Sequence, residues 1–381
     1  MLAFLFPVVP CNFASNSVAL SQKSTYITVP SEPNEGLFQA GFKMSQRALP
    51  DWYIVDDFFK ENQTIEWLSN AAKNGRVFWL PAGESSKSLA CAEKALQWLT
   101  EHGAKRNESI AVIGGGTVLD LGLFAASVYQ RGMQKWSIPT TLLATVDAGI
   151  GGKNGVNFMG LKNYIGTITQ PDVVLSDFRV LETLKPLDVL NGWMEMAKHG
   201  LVADTELWDE MKIFDAVPRP QMIHRLIDRA AAVKKRLVES DERENGLRKT
   251  LNFGHTVAHA LESIASAQKQ DLPHGIAVGL GMVCSLHWSA TRTNDAATRI
   301  ELIDAAERIQ GWLEQGASDE VKSTIAMVQA ETLWSHMQKD KKNTTQGIQE
   351  VALHNIGRAE WNQPLSFSVF TANWSRVHAG S

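Results

Sequence analysis

The strongest constraint on the fold is a change of hydrophobic period near residue 184. From Thr25 to about Leu184, short apolar and β-branched runs alternate with helical stretches. TYITV (25–29), WYIVDD (52–57), RVFWLPAG (76–83), SIAVIGGG (109–116), KWSIPTT (135–141) and DVVLSD (172–177) read as strands. They run into Gly, Pro, Asp or Thr, as buried parallel strands do. SLACAEKALQWLTEHG (88–103) and LDLGLFAASVYQRG (119–132) read as helices between them. Such alternation implies a doubly wound, Rossmann-like α/β layer with ligands at the carboxyl ends of its strands. Beyond Leu184 the period becomes helical, in VLNGWMEMAKHGLVA (189–203), PQMIHRLIDRAAAVKKRLVE (220–239), TLNFGHTVAHALESIAS (250–266) and HGIAVGLGMVCSLHWSATR (274–292). Pro186 marks the break. The expected organisation is a disordered tail at 1–22, an α/β domain at 23–185 and an all-α domain at 186–381. The site is expected in the cleft between the two domains.

Composition narrows the class. A chain of 381 residues with 44% hydrophobic side chains can build two real cores. A net charge of −4 and a pI near 6.2 argue against a nucleic-acid partner. Three cysteines without CxxC spacing give no disulfide framework and point to a reducing, cytoplasmic compartment. No apolar run reaches the ~18 residues of a spanning helix, so no membrane partner is expected. Residues 1–22 are uncharged and interrupted by Pro7 and Pro10, which suits a tail better than a secretory signal. The twelve tryptophans read as packing, since no basic stripe accompanies them.

Several constellations could carry chemistry. Gly114-Gly115-Gly116-Thr117, leading to Asp120, follows a strand and opens a helix, where backbone amides can receive a pyrophosphate. Taken alone it is equally a tight turn. The segment 138–171 packs Thr140, Thr141, Asp147, Lys153, Asn154, Lys162 and Asn163 among glycines in one long connection. Long connections of this kind are usually functional, and its Lys and Asn side chains suit phosphate or carboxylate ligands. His255 and His259 are spaced i, i+4, His274 opens the next helix, and Glu195 lies on an earlier one with Lys198 a turn on. One carboxylate and two imidazoles with an open position describe a catalytic divalent-metal site, although core histidines would share the spacing. Lys234, Asp241 to Glu244, Arg248 and Asn252 form a charge run that a solvated helix face would also explain.

Together these motifs resemble the 3-dehydroquinate synthase family of sugar phosphate cyclases. The resemblance is carried by PAGESSK (81–87), GGGTVLDLGLFAASVYQRG (114–132), IPTTLLATVDAGIGGKNGVN (138–157), GLKNYIG (160–166), NGWMEMAKHGL (191–201), DERENGLRKTLNFGHTVAHALES (241–263), LPHGIAVGLGM (272–282) and DKKN (340–343), in consistent order. It implies one divalent metal, zinc or cobalt, on Glu195, His255 and His274. It implies NAD on Glu84, Lys87, Gly115, Gly116, Thr117, Asp120, Thr140, Thr141, Lys162 and Asn191. The sugar phosphate would meet Lys153, Asn163, Lys234, Arg248, Asn252 and Lys341, with Arg131 reaching the site of a neighbouring subunit in a homodimer. Glu244, His259, Asp147 and Lys198 are the implied catalytic groups. The implied reaction converts 3-deoxy-D-arabino-heptulosonate 7-phosphate to 3-dehydroquinate and phosphate. Its steps are transient oxidation by NAD, β-elimination, re-reduction and intramolecular aldol closure.

Some positions depart from the family pattern. Ile276 stands where HGE is usual, and losing a carboxylate beside a metal site can weaken binding about 10–100-fold. Phe58, Gly149 and Asn154 also differ. Two rival readings remain: another sugar phosphate cyclase, or a metal-dependent alcohol or polyol dehydrogenase of related fold. A dehydrogenase of that kind would usually carry Asp in place of Glu195.

Overall fold

The computed structural model describes residues 24–29, 36–61, 65–81, 83–339 and 347–378, so the expected tail and the DKKN turn with Lys341 lie outside the described residues. In chain order, β1 (Thr25–Val29), α1 (Gln39–Met44), β2 (Trp52–Asp56), α2 (Phe58–Glu61), α3 (Glu66–Lys73) and β3 (Val77–Leu80) come first. Then follow α4 (Leu89–Glu101), β4 (Ser109–Gly114), α5 (Gly116–Val128), β5 (Gln134–Pro139), β6 (Lys153–Phe158), β7 (Leu161–Ile168) and β8 (Val173–Asp177). All six expected strands form one parallel sheet in the order β1-β8-β5-β4-β2-β3. The chain steps outward from β2 to β3, crosses back to β4, and continues through β5 to β8. The order therefore reverses between β2 and β4, the switch point at which such sheets bind ligands.

Burial follows the pleat. Tyr53 and Val55 of β2 face one core, while Trp52 and Ile54 face the other, which α4 and α5 cover. Every residue of β4 is buried, as an apolar strand between two layers requires. The connection at 138–171 is more structured than a loop. It holds a single π-helical turn, Ala144–Ala148, and the antiparallel β6–β7 hairpin, in which Gly155 and Gly166 are paired. Glycine weakens the alternation by which a strand is read, and here it allows a close backbone approach.

The second part comprises α6 (Pro186–Ala203), α7 (Thr205–Met211), α8 (His224–Ser240), α9 (His255–Ala267), α10 (His274–Arg292), α11 (Ala296–Gly316), α12 (Asp319–Ala326) and α13 (Ala330–Met337). Then come β9 (Gln349–Asn355), β10 (Arg358–Pro364) and α14 (Phe367–His378). It is helical, but the expectation of an all-α part is corrected by the β9–β10 hairpin, which turns at Gly357 with φ +83°. Of the charge run, Lys234 is buried on α8, and the rest forms no helix face: a turn leads to the 3₁₀ segment Leu247–Asn252, and the next α-helix starts only at His255. Trp193 and Trp312 are fully buried, edge to face at 5.3 Å, in a core that continues from the sheet into α6, α9 and α10. Among the described residues no helix is long and apolar enough to cross a membrane.

Candidate active site

At the switch point β4 ends in Gly114, and Gly115 caps α5 without a side-chain cap bond. The first-turn amides of α5 are thus left to an anionic ligand, and the helix dipole favours one there. A Cβ on Gly115 would stand 3.1 Å from Thr141 Cγ2, so a larger residue would crowd the cradle. Around it, Thr140 N donates to Gly114 O (3.0 Å), Thr117 Oγ1 to Glu84 Oε2 (3.4 Å), and buried Lys87 to Asp120 Oδ2 (2.5 Å). Burial raises the Asp120 carboxyl although Lys87 opposes it. Asp56, which the sequence reading did not assign, ends β2 beside this turn and accepts from Phe58 N (3.0 Å) and the Gly115 amide. An acid at that strand end suits a nucleotide ribose, and the first Asp of the pair ending WYIVDD was its legible signal.

The metal candidates come together. Glu195 Oε1 lies 3.8 Å from His255 Nε2 and 3.5 Å from His274 Nε2. Ligands about 2.1 Å from a tetrahedral ion stand about 3.4 Å apart, so the three fit one divalent cation. His255 Nδ1 donates to Phe253 O (3.2 Å), which points Nε2 at the triad. Glycines clamp the helices that carry these ligands. Gly254, at φ +75°, starts α9 against α10, where a Cβ on Gly281 would collide with the Gly254 carbonyl. A Cβ on Gly275 would likewise collide with the Asn191 backbone, and Asn191 Oδ1 accepts from Gly275 N at 2.5 Å. Asn191, expected at NAD, therefore ties α6 to the start of α10.

Between the two ends lies a polar cluster. Lys234 Nζ donates to Asp147 Oδ1 (2.5 Å), and Lys198, 1% exposed, pairs with Glu195 Oε2. Burial works against the Asp147 charge, yet Lys234 and then Lys198 hold the carboxyl well below its usual range. His199, also missed in the sequence, donates from Nδ1 to Ala230 O (3.0 Å); burial, then Lys198, push it down to about 3 and keep it neutral. Asp147, Glu195 and His199 form a second group within 4.8 Å, but the Lys198 and Lys234 ammonium groups already supply its positive charge. Glu244, on a strained turn at φ +57°, is paired with Lys153 and accepts from Asn252 Nδ2 (2.7 Å). Arg248 is 3% exposed and donates to Glu242 O (2.7 Å), which rules out a solvated face. His259 stacks edge-on to His255, with centroids 5.6 Å apart.

Other expected residues lie further out. Arg131 is exposed on the turn after α5, and Asn163 is exposed on β7, its N–H bonded to Asn157 Oδ1. Lys162, on β7, donates to Glu262 Oε1 (2.9 Å) on α9. Glu262 was missed, and it lies 3.5 Å from His274 Nδ1. Burial opposes the charge on His274, but Glu262 and Glu195 outweigh it and raise the ring to about 10. Two carboxylates converging on this imidazole mark a place built for a cation. Ile276 is fully buried in the apolar core and the first turn of α10 carries no acid, while the carboxylate beside His274 Nδ1 comes from α9. Asn154 is structural: its Nδ2 bonds Gly152 O and Thr169 O at the base of the hairpin.

A parallel sheet with a glycine cradle at its switch point, faced by helices bearing a Glu/His/His triad, defines the dehydroquinate synthase-like class of fold. Two solved cyclases share it. One is 2-epi-5-epi-valiolone synthase from Streptomyces hygroscopicus subsp. jinggangensis 5008 with NAD+ and Zn2+ bound (TM-score 0.75, 21% identity, 100% of both chains). The other is 2-deoxy-scyllo-inosose synthase complexed with carbaglucose-6-phosphate, NAD+ and Co2+ (TM-score 0.73, 21% identity, 92% of this chain and 96% of that one). Residues 77–191 match the family 3-dehydroquinate synthase N-terminal, and residues 192–343 match 3-dehydroquinate synthase C-terminal. The 3-dehydroquinate synthase of Streptococcus sanguinis is 46% identical over 255 residues, 65% of this chain and 71% of the relative. That of Parabacteroides distasonis is 34% identical over 298 residues, 78% and 82% of the two chains. The chain belongs to the 3-dehydroquinate synthase family.

Proposed function

We propose that the chain is a carbon–oxygen lyase that eliminates phosphate from 3-deoxy-D-arabino-heptulosonate 7-phosphate and closes the carbocycle of 3-dehydroquinate, a step of the shikimate pathway. The observation that carries this reading is the meeting of Glu195, His255 and His274, with Lys198 and the Asp147–Lys234 pair against Glu195 and with Glu244, held by Lys153 and Asn252, on the segment that leads into His255. Residues 23–185 hold NAD at the glycine cradle, and residues 186–381 hold the zinc or cobalt ion and most of the substrate. When bound, NAD supplies a hydride acceptor restored within the turnover, and the cation supplies Lewis-acid polarisation of a substrate oxygen.

The chain's own groups do the rest. Lys153, Lys234, Arg248 and Asn252 offer N–H donors to the two anionic ends of the substrate, where charge-assisted bonds are strongest. Lys341 adds a further cation on sequence grounds. Lys198 holds Glu195 through its second oxygen. Asp147, kept ionised by Lys234, accepts from substrate hydroxyls. The Glu244 carboxylate and the His259 ring accept and return protons. The molecule works as a cytoplasmic homodimer: Cys91 and Cys284 are free thiols, and exposed Arg131 is available to a second subunit.

Phosphate release from the heptulosonate phosphate, with NAD and Zn2+ or Co2+, tests the reading. Release without net NADH is expected, because the hydride returns. Stoichiometric NADH without release would favour a dehydrogenase, and release only from sedoheptulose 7-phosphate would favour another cyclase.

A further inference from the structure

Glu262 stands on α9 seven residues after His255, two turns along the same helix face. Its Oε1 lies 3.5 Å from His274 Nδ1, while Nε2 of that ring lies 3.5 Å from Glu195 Oε1. One imidazole thus has a carboxylate at each nitrogen. The same Oε1 accepts from Lys162 Nζ at 2.9 Å, so the pair joins the β6–β7 hairpin to the helix that carries His255. The Glu262 side chain is 9% exposed and its partner Lys162 46% exposed. A carboxylate buried to that extent is costly unless its partners answer it, and a helix face needs none for packing alone. The first turn of α10 carries no acid, so among the described residues Glu262 is the carboxylate at Nδ1. His255 is oriented in the same sense by the Phe253 carbonyl. Both rings then present Nε2 to Glu195.

We propose that Glu262 is a positioning residue of the metal site: it accepts the Nδ1–H of His274, turning Nε2 to the cation, and Lys162 holds it there from the hairpin. The inference rests on the metal reading under Proposed function and extends it. A carboxylate behind a ligating imidazole fixes ring and tautomer and makes the nitrogen a stronger donor, and its loss typically costs 10–100-fold in metal affinity. The Lys162 pair is half exposed, and such pairs contribute little, so its loss costs less than about five-fold.

The test is Co2+ binding by the full-length, chelator-stripped protein, read by chelator competition and by the cobalt visible spectrum, with melting temperature alongside. Glu262→Gln keeps the shape and an acceptor oxygen but loses the charge; its cobalt affinity is expected to fall about ten-fold, with a shifted spectrum. Glu262→Ala should fall further, toward about a hundred-fold, and Lys162→Met should fall least. Wild-type affinity and spectrum in both Glu262 variants would overturn the role. If Glu262→Ala does not fold, Glu262→Gln decides alone. A wild-type protein that binds no cobalt would instead refute the metal reading itself.

Discussion

Arg248 shows how far a single residue can be read from a sequence and where that reading stops. The charge run around it fitted a solvated face as well as a site, because composition does not say which way a side chain turns. Folding buries the guanidinium, commits Nη1 to the Glu242 carbonyl, and brings Nη2 within 3.2 Å of where a Gly151 Cβ would stand. The arginine therefore bridges from the helical part to the glycine-rich segment. Lysine cannot satisfy a carbonyl and a carboxylate in one plane. Arg248→Lys is expected to raise KM for the heptulosonate phosphate and to lower kcat/KM about ten- to a hundred-fold, or roughly 1.5–3 kcal/mol. Metal content, by elemental analysis, should be unchanged; wild-type kinetics would exclude a substrate role. Glu262 and His199 escaped notice because a Glu or His on an amphipathic helix has no distinguishing local pattern until its partners are known.

Among the elements, the long helices from α4 to α10 were legible, while the short ones and the joints between helices were not. α6 and α7 meet at Asp204, whose Oδ1 accepts from Leu207 N (3.0 Å) as the cap of α7. Arg229 of α8 grips the same carboxylate with Nε at 2.9 Å and Nη2 at 2.7 Å. Burial opposes the charge, but Arg229 and the Leu207 amide outweigh it and hold the Asp204 carboxyl below its usual range. A depressed folded pKa contributes stability above the unfolded value of about 3.9 and loses it as pH falls through the folded value. Asp204→Asn is therefore expected to cost about 1–3 kcal/mol at pH 7, with the deficit shrinking below about pH 4. Urea unfolding of both proteins at pH 7 and about pH 3.5 checks this; a deficit independent of pH would refute the linkage. The two hairpins were missed for a related reason. β6–β7 is masked by glycine, and β9–β10 is an isolated pair of strands that packs against α10 and α6, far back in the sequence.

At the scale of the whole molecule, Arg131 sits exposed at the end of the turn after α5, at φ +69°, outside the clusters described above. If it serves a partner's site, Arg131→Ala and His255→Ala should each be inactive alone. Mixed dimers would pair one intact site with one doubly defective site, restoring about a quarter of the activity in a random two-fold assembly. Heterodimers that form without any recovery would place Arg131 elsewhere. The α/β layer followed by a helical part, the order of the sheet's strands along the chain and the glycine turn were legible in the sequence itself. So were the candidates Glu195, His255, His259 and His274, of which the family resemblance singled out Glu195, His255 and His274. Hydrophobic period and chemically distinctive side chains are local properties that survive without coordinates. The tertiary structure alone decided that Asn191 serves Gly275, that Asp56 meets Gly115, and that Glu262 stands behind His274. No helical or strand period relates the partners in those contacts, and at Gly275 the Asn191 backbone passes so close that only glycine fits, packing that leaves no pattern to read.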